Sequence, residues 1–258
     1  MVFCMDKVLI VGYGNIGRHI YEEFKDIKPD IYDVNIPIYN IVPDKVYDLV
    51  FISVNTDKLP DGSCDISNVE NVLTKLSSKV IVIKSAIPPG TAEFLSKKIS
   101  QHIVVSPEYY GLTQHSKRQM DFVILGGAIE DCSAVARIYS RIKPGNFHIY
   151  FTNFRTAELA KYMENCFLAL KVTFCNEFAK VAQSIGVEYE ELRELFILDE
   201  RMGCSHTWVY PDKPYYDSHC LNKDIPAFIK FSKEFGIEPS LMETVDTINN
   251  IAKGKYAS

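Results

Sequence analysis

The sequence predicts an α/β fold: a doubly wound, mostly parallel sheet in residues 1–152, followed by an all-helical domain built around one long helix in residues 153–258. Three observations predict it. Short, β-branched apolar runs alternate with helical patterns throughout the first part. The first of these runs leads into a glycine-rich turn that opens a helix. From Thr156 to Ser184 neither glycine nor proline interrupts a periodic apolar pattern, and Gly186 then supplies a stop.

In chain order, "KVLIVGYGNIGRHIYEEF" begins with Val8–Val11, a run short and branched enough to be a buried strand. Gly12, Gly14 and Gly17 follow as G-x-G-x-x-G, with Tyr13, Asn15 and Ile16 between them, and Ile16, Ile20 and Phe24 carry the helix. Such a turn admits a pyrophosphate to the free N–H groups of the helix start. Asp33, 21 residues after the first glycine, is placed to accept from a ribose 2′-OH and to repel a 2′-phosphate. The reading is a Rossmann-type domain that holds NAD rather than NADP. A glycine-rich turn that binds nothing is the competing one.

Further strands are expected in "YDLVFISVN", "KVIVIKSA", "HIVVS" and "DFVILGG", with helices around Val69–Leu76, Ala92–Ile99 and Ala134–Ile142. Their polar ends, Val54-Asn55-Thr56, Lys84-Ser85 and Ser106-Pro107-Glu108, gather at the edge where this fold binds ligands. Val54, Asn55, Thr56, Ser85 and Glu108 are the cofactor-side candidates.

The long helix would measure roughly 40 Å. Leu159, Met163, Phe167, Leu170, Val172, Phe174, Phe178 and Val181 spread around it, so burial on several sides is expected, within a helical domain or between two copies of the chain. Lys161 and Asn165 lie four apart on one face. Near a nicotinamide, such a lysine serves as a proton acceptor or stabilises an alkoxide, and the amide orients the same oxygen. An exposed Lys/Asn pair is the plain alternative.

Composition narrows the class. The chain is 47% hydrophobic and 24% charged, with net charge −5 and scattered Lys and Arg, which argues against nucleic acid or a polybasic membrane surface. No apolar run reaches the length of a membrane span. Seven cysteines at irregular spacing, with no cleavable leader in "MVFCMDKVLIVGYG", read as reduced thiols in a cytoplasmic protein.

After GYGNIG come "KSAIPPGT" (Lys84–Thr91), "VVSPEYY" (Val104–Tyr110), "AELAKYMENCFLALKVTFCNEFA" (Ala157–Ala179) and "CLNKD" (Cys220–Asp224). As an ordered set they resemble the UDP-glucose/GDP-mannose dehydrogenase family, and UDP-glucose 6-dehydrogenases most in style. The resemblance implies oxidation of a sugar-nucleotide C6 alcohol to a carboxylate with two NAD, through a thiohemiacetal and a thioester on Cys220. It implies that Lys161 and Asn165 steady oxyanions, and that Asp224 with Glu108 handles water and proton transfer. Lys223 would be a supporting cation and Arg201 would reach the substrate of a neighbouring subunit, so a homodimer is expected.

Three features depart from the family pattern. Tyr215-Tyr216-Asp217-Ser218-His219 stand where the family has a glycine-rich run. Ala86 stands for a threonine near the catalytic water. The chain also stops where the family continues into another Rossmann-like domain.

Cys220 has two further readings, a spare thiol and a zinc ligand with Cys204, His206 and His219. No metal is expected. Favouring the nucleophile, Asp224 is expected to cap the helix "IPAFIKFSKEFG" with Pro226 in its first turn, leaving the cysteine beside a positive helix end and Lys223. The alternatives for the whole chain are a catalytically impaired NAD-binding remnant or regulatory subunit, and a single-step β-hydroxyacid-type dehydrogenase with Cys220 idle.

Overall fold

A computed structural model describes residues 7–42, 45–109, 120–143 and 145–256. Residues 1–6 of the N-terminal stretch and Tyr110 of "VVSPEYY" lie outside the described residues.

The described residues divide into two compact units, one of residues 7–57, 64–109 and 120–161, the other of residues 58–63 and 162–256. The first holds a seven-stranded sheet: β1 Val8–Val11, β2 Asp30–Tyr32, β3 Tyr47–Ile52, β4 Ser78–Ile83, β5 Ile103–Val105, β6 Phe122–Gly127 and β7 His148–Thr152. Their order is β2-β1-β3-β4-β5-β6-β7, parallel throughout except between β5 and β6. Helices α1 Asn15–Phe24, α2 Ser67–Lys75, α3 Thr91–Ile99 and α4 Ile129–Ile142 cover the sheet.

Both faces of the central strands are buried, which is why they read as unbroken apolar runs. Leu9, Val11, Val50, Ile52, Ile81 and Ile83 face one core cluster, while Val8, Ile10, Leu49, Phe51, Val80 and Val82 face the other. Full burial of each such side chain stabilises by about 1.5–3 kcal/mol. The chain leaves β1 for β2 on one side and crosses to β3 on the other. That reversal makes a crevice at the carboxyl ends of β1 and β3, where this fold takes its ligand.

The second unit contains most of α5 Phe154–Ser184, then α6 Tyr189–Phe196, α7 His219–Glu234 and α8 Ser240–Tyr256. Its core joins Cys166 and Ala169 of α5, Tyr216, Leu221 and Ile225, and Met242 and Val245 of α8. No described helix is long and apolar enough to cross a membrane.

Six of the eight apolar residues noted on the long helix, Leu159, Met163, Phe167, Phe174, Phe178 and Val181, are exposed in the single chain, which leaves burial between two copies as the expected setting that remains. One expectation needs correction. Asp224 does not cap a helix: α7 begins at His219, and the Ser218 side chain accepts from the Leu221 N–H at 3.3 Å. Pro226 lies inside α7, where it removes one backbone donor without ending the helix.

Candidate active site

In the first unit the glycine turn links β1 to α1. Gly12 has φ +85°, and a Cβ there would meet the Ser53 carbonyl oxygen at 2.7 Å. A Cβ on Gly17 would lie 1.9 Å from the Gly12 oxygen, so this glycine lets α1 pack against the turn. Gly14 differs, because a Cβ there meets nothing within 4 Å. The first turn of α1 has no acidic residue and no side-chain cap, so its N–H groups are available to an anion.

Asp33 follows β2 and reaches back to the turn. Its Oδ2 accepts from the Tyr13 N–H at 2.7 Å and its Oδ1 from the Asn35 N–H at 2.8 Å. Each carboxylate oxygen keeps lone-pair capacity for a ribose hydroxyl. Open space at Gly14, uncapped N–H groups and a fixed acid together fit a dinucleotide with an unmodified ribose.

The neighbouring loops are braced from inside. Thr56 Oγ1 donates to the Ala86 carbonyl at 2.9 Å, and Ser85 Oγ donates to the Val54 carbonyl at 2.7 Å. These hydroxyls tie the loops after β3 and β4 together, while Asn55 is exposed and its carbonyl accepts from Asn68. Ile16 is half-buried against the core. Glu108 pairs with the buried Lys84 at 3.2 Å, and the Lys161 ammonium stands 5.0 Å from the centre of the Tyr109 ring.

In the second unit, the first turn of α7 carries Cys220 as an exposed thiol. Lys223 and Asp224, three and four residues on, share its face of the helix and are buried. The Lys223 ammonium lies 2.5 Å from Asp224 Oδ1, and Asn165 Nδ2 donates to Asp224 Oδ2 at 2.6 Å. The structure thus gathers Asn165, Lys223 and Asp224 into one buried set, with Cys220 one turn before Asp224 on α7 and Lys161 one helical turn before Asn165 on α5. Arg201 stands apart: it is exposed in the turn after α6 and ion-paired with Asp199 at 2.5 Å.

Other thiols are excluded by chemistry. Burial, with the Asp224 charge nearby, pushes the Cys166 thiol up to about 12, and burial with Asp131 pushes Cys132 up to about 11. Such thiols are inert as nucleophiles at neutral pH. Among the described residues Cys204 and Cys220 are the exposed cysteines, and no group of three or more His, Cys, Asp or Glu side chains is arranged to hold a metal.

The segment before Cys220 is anchored by its own side chains. Tyr216 is buried, with its N–H donating to Asn249 Oδ1 at 2.7 Å. Asp217 accepts from Asn222 at 2.9 Å and pairs with Lys213 and Lys253, which hold its carboxyl well below the usual range. Neither Asp217 nor Ser218 figured among the sequence candidates. The signal for Ser218 was present, a serine three residues before an apolar helical position, but Pro226 drew the expected helix start downstream.

Residues 39–143 match the NAD-binding domain of the UDP-glucose/GDP-mannose dehydrogenase family, and residues 155–251 match that family's central domain. The chain belongs to this family. Among curated relatives, the UDP-glucose 6-dehydrogenase of Rickettsia typhi is 29% identical over 82% of this chain and 51% of its own length. That of Pseudomonas aeruginosa is 30% identical over 78% of this chain and 48% of its own length. This family member spans about half the length of the curated relatives it matches.

Solved structures agree on the fold. A UDP-glucose dehydrogenase from Pyrobaculum islandicum superposes with a TM-score of 0.81 at 24% identity, over 96% of this chain and 68% of that one. A UDP-D-ManNAc dehydrogenase from Pyrococcus horikoshii gives 0.78 at 22% identity, over 97% and 70%. The family's first domain holds NAD, and the matched segment begins at residue 39, after the glycine turn, α1 and Asp33.

Proposed function

We propose that this chain is a dehydrogenase that oxidises a primary alcohol of a nucleotide sugar, UDP-glucose or one like it, to the carboxylate through Cys220. NAD, when bound, accepts a hydride at each of the two oxidations. The chain's residues divide the remaining work. Lys161 and Asn165 steady the oxygen as it gains charge; Asn165 spends one N–H on Asp224 and has a second for substrate.

Cys220 adds its sulfur to the carbonyl carbon of the aldehyde, and the oxygen takes up a proton, giving a thiohemiacetal. After the second oxidation the same carbon is a thioester. Water then forms the new C–O bond as Glu108 takes one of its protons. The C–S bond breaks as that proton passes to the leaving sulfur, releasing the Cys220 thiol and a carboxylic acid that gives its remaining proton to solvent as the carboxylate. Asp224 is fully buried, so it acts through Lys223 and Asn165, keeping the cation close to Cys220 and the amide correctly turned.

One observation carries this reading: an exposed cysteine in a helix's first turn, followed three and four residues on by a buried lysine and aspartate, the aspartate also held by Asn165. An idle thiol does not call for such a foundation. A buried ion pair with an amide costs desolvation energy, and a role in the chemistry of Cys220 accounts for its retention. The single-step alternative leaves the trio unexplained, and the reaction's need for a free thiol suits a reducing cytoplasm.

We also infer that two copies associate through α5. Leu159, Met163, Phe167, Phe174, Phe178, Val181 and Ile185 form an exposed apolar stripe along it, continued by Leu195, Phe196 and Leu198 around α6. Arg201 lies just beyond that stripe, in keeping with a role at the partner's substrate.

The test is NADH formation with a panel of nucleotide sugars supplied to the purified chain. Turnover of one of them, abolished in Cys220→Ala, is expected. No turnover of any, with NAD binding intact, would support the non-catalytic remnant instead.

A further inference from the structure

Lys84 directly follows the last residue of β4, and it is the one charged side chain in "KVIVIKSA" to be buried. A buried ammonium is unfavourable unless a partner compensates it. Two groups at the end of β5 do so: the Glu108 carboxylate at 3.2 Å and the Ser106 hydroxyl oxygen at 3.4 Å. Lys84 and Glu108 line a pocket walled by Tyr109, Phe122, Tyr139 and Phe147. A second carboxylate, Glu23 of α1, faces the same pocket and has its own cation, Lys143, at 2.7 Å. Burial together with the charges of Glu23 and Glu108 holds the Tyr139 hydroxyl well above its ordinary range, so both acids lie close to that ring.

Glu108 therefore faces an apolar wall and a like-charged neighbour. Both oppose ionisation of a carboxyl group. Lys84, buried between the ends of β4 and β5, is a cation that offsets them at 3.2 Å. We infer that Lys84 is a positioning residue for Glu108, holding its carboxylate ionised and in place to take the proton of the hydrolytic water. This rests on the reaction proposed above, in which Glu108 is the base for thioester hydrolysis. No electron transfer is involved: the proton passes from water to Glu108 as the water oxygen bonds to the thioester carbon, and the C–S bond then breaks.

The experiment is a double-mutant cycle on NADH production, comparing wild type, Lys84→Met, Glu108→Gln and the pair, with Lys84→Arg as a rescue and thermal unfolding to verify the fold. Lys84→Met should lower kcat at neutral pH by roughly ten- to a hundredfold with KM little changed. The acid limb of its kcat–pH profile should move up by roughly 1–3 pH units. Lys84→Arg should recover most of the rate. The double variant should be no slower than Glu108→Gln alone, because Lys84 acts through Glu108.

Additive losses, or a Lys84→Met profile with the wild-type acid limb, would overturn the inference while leaving the proposed reaction standing. A wild-type chain that turns over no nucleotide sugar would overturn both.

Discussion

Asn165 on α5 donates to Asp224 on α7 at 2.6 Å, with both side chains inside the helical unit and 59 residues apart in sequence. The bond does two things at once. It fixes the amide, and it gives one oxygen of a fully buried carboxylate a donor, the other oxygen being paired with Lys223. Asn165→Ala removes a donor to a buried charge, and should lower unfolding stability by about 2–4 kcal/mol. Urea denaturation checks it; a loss below roughly 0.5 kcal/mol would mean that Asp224 has other support.

The glycines of the first turn should separate by experiment. Gly14→Ala meets no neighbour and has an ordinary φ of −74°, so the protein should fold with unchanged stability. Its NAD affinity should drop roughly tenfold or more, because the methyl group fills the approach to the N–H groups of α1. Gly17→Ala would place a Cβ 1.9 Å from the Gly12 oxygen and should unfold the turn. Calorimetric NAD titration beside thermal unfolding distinguishes them, and equal behaviour of the two variants would contradict the assignment.

A pH dependence of stability follows from Glu158. Its carboxylate accepts from the Gly90 N–H at 2.5 Å and the Ala92 N–H at 2.8 Å, supporting the start of α3. Burial nevertheless dominates and raises it from its ordinary value near 4.5 to about 7, against the two N–H groups and Arg155. Between those values the folded chain keeps a proton that the unfolded chain has released. Stability therefore falls as pH rises through that window, by on the order of 3 kcal/mol. Glu158→Gln should flatten this part of the profile. Parallel pH profiles for the two proteins would show that Glu158 is already ionised.

The α5 stripe predicts association. Met163 and Phe167 are 73% and 57% exposed and lie four apart on one face. Met163→Glu with Phe167→Glu should convert a dimer into a monomer, raising the dissociation constant at least a hundredfold, as read by sedimentation equilibrium. A wild-type protein that sediments as a monomer at micromolar concentration would remove the proposed role of Arg201.

Much of this was legible in the sequence for identifiable reasons. β3 and β4 are buried on both faces, so "YDLVFI" and "KVIVI" announce themselves by continuous apolar composition. β2 and β7 did not: one is three residues long, and the other is a largely exposed edge strand whose alternation is weak. The start of α7 was hidden by Pro226, a residue that ordinarily marks a first turn and here sits inside the helix, beside Gly62.

Within the candidate site, Cys220, Lys223, Asp224, Asn165 and Lys161 could be named from pattern and resemblance. Their mutual arrangement could not, because the contact between Asn165 and Asp224 depends on how two distant helices pack. Thr56 and Ser85 illustrate the opposite limit. Their position at strand ends suggested ligand contact, yet a hydroxyl near a bend finds a backbone carbonyl as readily, and both do. Lys84 was visible as a polar residue at a strand end, and the sign of its importance was that a lysine directly after the buried run Val80–Ile83 needs an acid.

The central claim is that Cys220 carries a covalent intermediate through two oxidations. The most direct measurement is the number of NADH formed per molecule of limiting UDP-glucose by wild type and by Cys220→Ser. The account predicts two per sugar for wild type and at most one for the variant. One NADH per sugar in both proteins would contradict it, leaving a single-step alcohol dehydrogenase in which Cys220 has no part.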